Sequence, residues 1–242
     1  MQNFFEIQTS ETQKQTEIKE MFNSISSSYD ILNHTLSFGI DILWRRKAIK
    51  ILEKFSPKKI LDIACGTCDF SIEAMKLNPE KIIGLDVAEK MLEIGKQKIE
   101  AKNFPKTIEL QVCAAENLKF ENESFDSVIV AFGVRNFSNL KKGLSEIYRV
   151  LKKNGVFLVL EFSKPKIFLF KQIYFFYFKH ILPLIGKIIS KNFDAYKYLP
   201  NTVLSFPDRK DFLNILNEIG FKEGKEFQLT FGIATIYLVK KS

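Results

Sequence analysis

The spacing of apolar positions changes character at Ser56-Pro57. Before that point the pattern is helical and largely polar. An apolar-periodic run from Ile40 to Phe55 stops at the Ser-Pro pair, and Asp30, Asn33 and Ser37 are candidate helix caps ahead of it. Beyond it, apolar runs of strand length alternate with segments of helical spacing. Lys58–Ala64, Lys81–Asp86, Thr107–Cys113, Ser124–Phe132 and Gly155–Phe162 read as strands, and Asp69–Leu77, Ala88–Asn103 and Ser138–Leu151 as the helices between them. Such alternation predicts βαβ units and a mainly parallel sheet. After an aromatic-rich segment, a helix from Asp208 to Ile219 closes at Gly220. Two strand candidates flank Gly232, and the short turn between them makes them antiparallel to each other.

A chain of 242 residues fits one domain, 1–242. It divides into a helical cap (1–56), a core (57–163), an aromatic insertion (164–207) and a C-terminal helix with two strands (208–242). Thirty-six basic against 28 acidic side chains give a net charge of +8, which favours an anionic contact without naming it: a phosphate-bearing ligand, nucleic acid or a lipid surface. Three cysteines and two histidines are too few for a disulfide framework, and one four-ligand zinc site would use nearly all of them. This fits a reducing cytoplasm. The first twenty residues lack a basic stretch followed by an apolar one, so no secretory signal is expected. The most apolar segment, Ile167 to Ile189, is interrupted by Lys171, Gln172, Lys179, His180, Pro183 and Lys187, so no membrane span is expected either.

The strongest local signal is Ile60-Leu61-Asp62-Ile63-Ala64-Cys65-Gly66-Thr67-Cys68-Asp69, a strand that ends in small residues and runs into a helix. Ligands of open parallel sheets bind beyond such strand ends, where the backbone can be approached closely and a helix N-terminus offers free N–H groups. Asp86, at the end of the next strand, can accept hydrogen bonds from both ribose hydroxyls of an adenosine, or cap the helix from Ala88. Ala64, Gly66 and Asp69 stand where a dinucleotide fingerprint wants three glycines, which disfavours a pyrophosphate. An acidic residue early in the loop, Asp62, suits the cationic end of S-adenosylmethionine (SAM). Asp62 could equally serve as a strand-end carboxylate bonded to loop N–H groups. Cys65 and Cys68 form a C-x-x-C pair at a helix start, which admits a redox reading, although the cofactor loop already accounts for the position.

At this point the sequence resembles class I SAM-dependent methyltransferases, and more narrowly the ubiquinone/menaquinone biosynthesis C-methyltransferases (UbiE/MenG type). Four stretches carry the narrower likeness. The first comprises Met21 to Ile25, Tyr29 to Asn33 and Leu36 to Asp41 with Trp44-Arg45-Arg46. The second is Phe132-Gly133-Val134-Arg135-Asn136-Phe137. The third runs from Arg149 to Lys152 through Gly155 to Leu160-Glu161-Phe162-Ser163-Lys164-Pro165. The fourth is Tyr196-Lys197-Tyr198-Leu199-Pro200 with Phe206-Pro207. The chain departs from the family at Cys68, where a second glycine is usual, at Ala114, where a polar side chain is common, at Lys153-Asn154-Gly155 for Pro-Gly-Gly, and at Asp41 for a histidine. If Cys68 needs positive φ, a non-glycine there costs ~1 kcal/mol or more.

The resemblance implies an α/β, Rossmann-like fold: a mostly parallel seven-stranded sheet with helices on both faces, an N-terminal helical extension and a helical insertion after the fifth strand. It implies SAM held by Asp62, Gly66, Thr67, Asp86, Ala114, Ala115 and Ala131, with adenine read through backbone groups at Ala114. It also implies methyl transfer to a ring carbon of a polyprenylated quinol, with the menaquinone side favoured by the Leu36–Asp41 and Trp44–Arg46 segment and a benzoquinol or another apolar phenol as alternatives. Arg135 and Asn136 would orient the quinol hydroxyl or a water acting as base, with Tyr29 or His34 closing the pocket. The other reading makes Arg135 a salt-bridge residue and His34 a surface histidine. The aromatic insertion would meet an anionic membrane peripherally at the inner face, cover the active site or form a homodimer face. Scattered lysines and the absence of an RNA-binding signature argue against nucleic acid.

Overall fold

The computed structural model describes residues 2–37, 39–166, 172 and 193–242. Its helices are α1 (Gln2–Leu36), α2 (Ile40–Leu52), α3 (Asp69–Ala74), α4 (Glu89–Ala101), α5 (Leu140–Val150), α6 (Phe193–Ser205) and α7 (Lys210–Ile219). Its strands are β1 (Lys59–Ile63), β2 (Lys81–Asp86), β3 (Ile108–Val112), β4 (Phe125–Ala131), β5 (Leu151–Phe162), β6 (Lys222–Leu229) and β7 (Ala234–Lys240). They form a seven-stranded sheet in the order β3-β2-β1-β4-β5-β7-β6. All pairings from β3 to β5 are parallel, while β7 runs antiparallel to both β5 and β6. The expected α/β architecture is therefore present, including the antiparallel C-terminal pair.

Period-two alternation sorts the core strands onto two buried faces. Leu61, Val128, Val130, Phe157, Val159 and Tyr237 point to one side, against α5 and α7. Ile60, Ile129, Leu158, Ile236 and Leu238 point to the other, against α2 and α4. The order reverses between β1 and β4, which opens a crevice at their carboxyl ends.

Several expectations are corrected. Asp30 and Asn33 are not caps, because α1 continues through them to Leu36; α2 instead starts after Gly39 in a left-handed conformation (φ 71°). β5 begins at Leu151 rather than Gly155. Leu151 is fully buried opposite Phe125, and the chain between it and Val156 bulges before rejoining the ladder opposite Ser127. The helix expected from Asp208 begins at Lys210, because Arg209 has φ 57°. Most of the aromatic insertion, 167–171 and 173–192, lies outside the described residues, so the amphipathic reading of that segment has no structural counterpart here. No described helix is long and apolar enough to cross a membrane.

Cys68 has φ 69°, the left-handed conformation that glycine adopts freely. Its thiol is fully buried against α4, where a Cβ added at Gly95 would lie 2.4 Å from the Cys68 sulfur. Cys68→Gly and Cys68→Ala both delete that thiol, and only the glycine relieves the backbone. Chemical denaturation should therefore find Cys68→Gly more stable than Cys68→Ala by ~1 kcal/mol; equal stabilities would mean the backbone is unstrained.

Candidate functional site

The crevice is shaped by backbone before any side chain enters it. Ala64, Gly66 and Cys68 in the β1–α3 loop, and Phe132 after β4, all have positive φ. Gly133 lets the two loops meet, since a Cβ there would sit 2.5 Å from the Ala64 Cβ. Cys65 N–H donates to the Leu85 carbonyl (2.9 Å) and Gly66 N–H to Asp86 Oδ2 (2.8 Å), tying the β1 loop to the end of β2.

Asp86 thus accepts at one oxygen from the loop and at the other from Ala88 N–H (2.9 Å), just ahead of α4 and without capping its first turn, while the carboxylate faces the cavity. Burial raises its pKa, and the backbone N–H groups oppose that rise. That cavity brings together Gly66, Asp86, Ala115 and Ala131 under Gln15 and Tyr29 of α1. Asp62 lies in a smaller recess behind the loop, with Gly66, Thr67 and Ala131. It is almost fully buried; Ser71 Oγ donates to its Oδ2 (2.5 Å), and Oδ1 has no partner. Burial pushes its pKa up to about 7.

Two more of the expected residues lie outside this first cavity. Ala114 does not line the adenosine-sized cavity but a neighbouring open cleft, because the chain turns outward after β3 and brings Ala115 inward instead. The Thr67 hydroxyl is committed to the cap, donating to Asp30 Oδ1 (2.5 Å). The Cys65 and Cys68 sulfurs are 3.9 Å apart as free thiols, and burial pushes Cys65 well above the ordinary thiol range, which keeps it protonated and unreactive. Among the described residues no group of three or more potential ligands could hold a metal.

A second cavity adjoins the first, and Phe22, Tyr29 and Phe132 line both. Arg135 lines it with Arg45, Asp41, Phe162 and Tyr198. Arg135 Nη1 donates to Glu161 Oε1 (2.7 Å) and to the Phe132 carbonyl, so Arg135 is a salt-bridge residue as well as a cavity residue. Asn136, in the short turn after β4, lines the first cavity and accepts a hydrogen bond at Oδ1 from the Tyr198 hydroxyl (3.1 Å). Burial raises the pKa of both Tyr29 and Tyr198, with Arg135 pulling the other way. His34 does not line this cavity; its ring joins Asp41 (Nδ1, 2.9 Å) and Asp69 (Nε2, 3.6 Å). Arg45 and Asp41, an i, i+4 pair on α2, were missed as site residues, although their spacing put them on one helix face.

The fold class is that of SAM-dependent methyltransferases: a SAM-dependent methyltransferase from Thermotoga maritima superposes with a TM-score of 0.65 at 19% identity, covering 93% of this chain and 99% of its own. The cyclase SpnF superposes equally well, at 13% identity over 93% and 94%, so the fold by itself does not name the reaction. Sequence goes further. The chain belongs to the ubiE/COQ5 methyltransferase family, whose model matches residues 9–241. A demethylmenaquinone methyltransferase from Bacteroides fragilis is 43% identical over 94% of both chains. A ubiquinone/menaquinone biosynthesis C-methyltransferase from Geotalea daltonii is 46% identical over 95% of this chain and 98% of its own.

The unpartnered Asp62 oxygen fits a ligand with an ammonium group. A cation prefers the ionised carboxylate, so S-adenosylhomocysteine, which carries that ammonium, should bind more tightly as the pH rises through about 7. Calorimetry between pH 6 and pH 7.5 should show this rise in the native protein, with Asp62→Asn binding more weakly and without it; an unchanged pH profile in the variant would place the ammonium elsewhere.

Proposed function

We propose that the protein transfers a methyl group from SAM to a ring carbon of a polyprenylated quinol, with demethylmenaquinol as the acceptor. The observation that carries this reading is the pair of adjoining cavities: one beyond β1 and β2 with a partnerless acidic oxygen behind it, the other aromatic with two arginines, and a common wall of Phe22, Tyr29 and Phe132. The names of the relatives supply the acceptor class, and both quinone types occur among them.

SAM supplies a methyl group already activated by its sulfonium, so the chain has to bind, align and raise electron density on the ring. In this reading Asp62 holds the cationic end, Asp86 the ribose, and Gly66, Ala115 and Ala131 admit the adenosine to the backbone. Arg135, with its charge balanced by Glu161, stabilises a quinol oxygen as it gains negative character, which enriches the ortho carbon. Asn136, fixed by Tyr198, and Tyr29 in the common wall orient the ring.

Methyl-labelled SAM should label reduced demethylmenaquinol, with reduced 2-polyprenyl-6-methoxybenzoquinol as the parallel acceptor and mass spectrometry of the products as the check. Label in the benzoquinol alone would move the protein to the other branch, and label in neither would end this reading. Arg135→Ala should lower kcat at saturating acceptor by roughly 10²-fold or more, the scale of losing one electrostatic donor; unchanged turnover would leave Arg135 a structural residue.

In this reading the enzyme is cytoplasmic and meets its lipid-tailed acceptor as a peripheral protein at the inner face of the membrane. The net charge of +8 supports contact with anionic lipid. Flotation should recover the protein with vesicles containing anionic lipid and not with neutral ones; no flotation with either would remove the membrane contact.

A further inference from the structure

The acceptor cavity holds two arginines in matching settings. Arg135 is paired with Glu161 (2.7 Å), its side chain 7% exposed, and its guanidinium lies 5.4 Å from the centre of the Phe162 ring. Arg45 is paired with Asp41, is itself buried, and its guanidinium lies 5.6 Å from the centre of the Phe132 ring. The two rings pack together with centroids 4.6 Å apart, so an arginine is stacked on each member of one aromatic pair. Both guanidiniums also keep a buried Nε–H with no hydrogen-bond partner. Buried donors are ordinarily satisfied; Arg209 carries a third such Nε–H elsewhere, but Arg45 and Arg135 are the two of these arginines that line one cavity, where a ligand with two acceptor oxygens could engage both guanidiniums.

We propose that Arg45 and Arg135 form a two-point oxygen clamp, each donating to one of the two para oxygens of the ring acceptor, so that the site selects 1,4-dihydroxy aromatics over monohydroxy ones. The proposal rests on the quinol reading above and deepens it, making Arg45 a substrate-contacting residue. Each guanidinium is already neutralised by a carboxylate, so the clamp does not need a doubly charged ligand; it supplies oriented N–H groups rather than net charge. The tilted pair of rings between the arginines (interplanar angle 36°) is apolar, which suits an aromatic ring more than a sugar or a phosphate.

The test is anaerobic titration calorimetry with two soluble probes, 2-methyl-1,4-naphthalenediol and 2-methyl-1-naphthol. The native protein should bind the diol more tightly by ~10-fold or more, the contribution of one hydrogen bond from a charged donor. In the double variant Arg45→Met with Asp41→Asn, which removes the donor without stranding the acid, the ratio should fall towards unity. Arg45→Lys, which keeps a cation for Asp41 but has no Nε–H, should lower the ratio as well and guards against a folding failure in the double variant. A merely structural Arg45 would weaken both probes alike and leave the ratio intact, which would overturn the clamp, as would equal binding of the two probes by the native protein. Equal binding leaves the quinol pocket standing, whereas failure of the native protein to bind either probe removes the pocket reading together with the clamp.

Discussion

Everything functional in this molecule depends on how closely the loops after β1 and β4 approach each other. Gly133 and Ala64 are in contact at a distance that tolerates no further Cβ, and the price is left-handed backbone at Ala64, Gly66, Cys68 and Phe132. Non-glycine residues held there cost of order 1–3 kcal/mol each, so the surroundings must fix them. The fixing is visible: Cys65 bonds to Leu85, Gly66 to Asp86, and Cys68 N–H returns to the Cys65 carbonyl (2.9 Å).

Charge is distributed on the two sides of that wall with opposite logic. Around the acceptor cavity every buried acid has an arginine: Glu161 with Arg135, Asp41 with Arg45. Although burial pushes Asp41 upward, Ser37 and Arg45 outweigh it and hold the carboxyl below the usual range. In the recess behind the first cavity Asp62 is equally buried, is hydrogen-bonded by Ser71 alone, and is pushed to about 7 although the Arg45 charge opposes the rise. Stripped of water, an acid without a cation is destabilised and an arginine N–H without an acceptor is wasted. Arg45 borders both places, lining the second cavity and the Asp62 recess, so its charge is shared between Asp41, its hydrogen-bonded partner, and Asp62, whose rise in pKa it opposes.

The sheet was legible because its central strands are buried on both faces and punctuated by glycine turns, so the run of Ile60 to Ile63 could not be mistaken for surface. Boundaries were less so. Leu151 continues α5 in its apolar spacing yet starts β5, because a fully buried place opposite Phe125 outweighs local period. Asp30 and Asn33 look like caps in sequence, but in space Asp30 meets Thr67 and Lys98 across separations of 37 and 68 residues, which no local rule reveals. Of the site, Asp62, Gly66 and Asp86 announced themselves by lying at strand ends. Ala114 and Ala115 were both expected to hold the cofactor, and how the chain leaves β3 turns Ala115 into the first cavity and Ala114 into the neighbouring cleft. Arg45 stood within the Trp44-Arg45-Arg46 stretch without a role assigned to it, and only the fold brings it into one cavity with Arg135.

The helical cap is what makes two cavities out of one crevice. Tyr29 of α1 borders the donor cavity, the acceptor cavity and the Asp62 recess. It is held there by contacts at both ends of the helix: Lys19 with Glu89 (2.5 Å) and Gln15 with Ser138 (3.0 Å) towards the start, Asp30 with Thr67 and Lys98 towards the end. Lys98 reaches Asp69 as well, so the same ammonium joins the cap, the strained loop and α4. Surface pairs of this kind contribute little individually, but those of Asp30 and Lys98 meet at the β1–α3 loop, whose conformation is already strained. A change that frees the cap therefore removes the Asp30 contacts of the β1–α3 loop and the Tyr29 wall shared by the two cavities together.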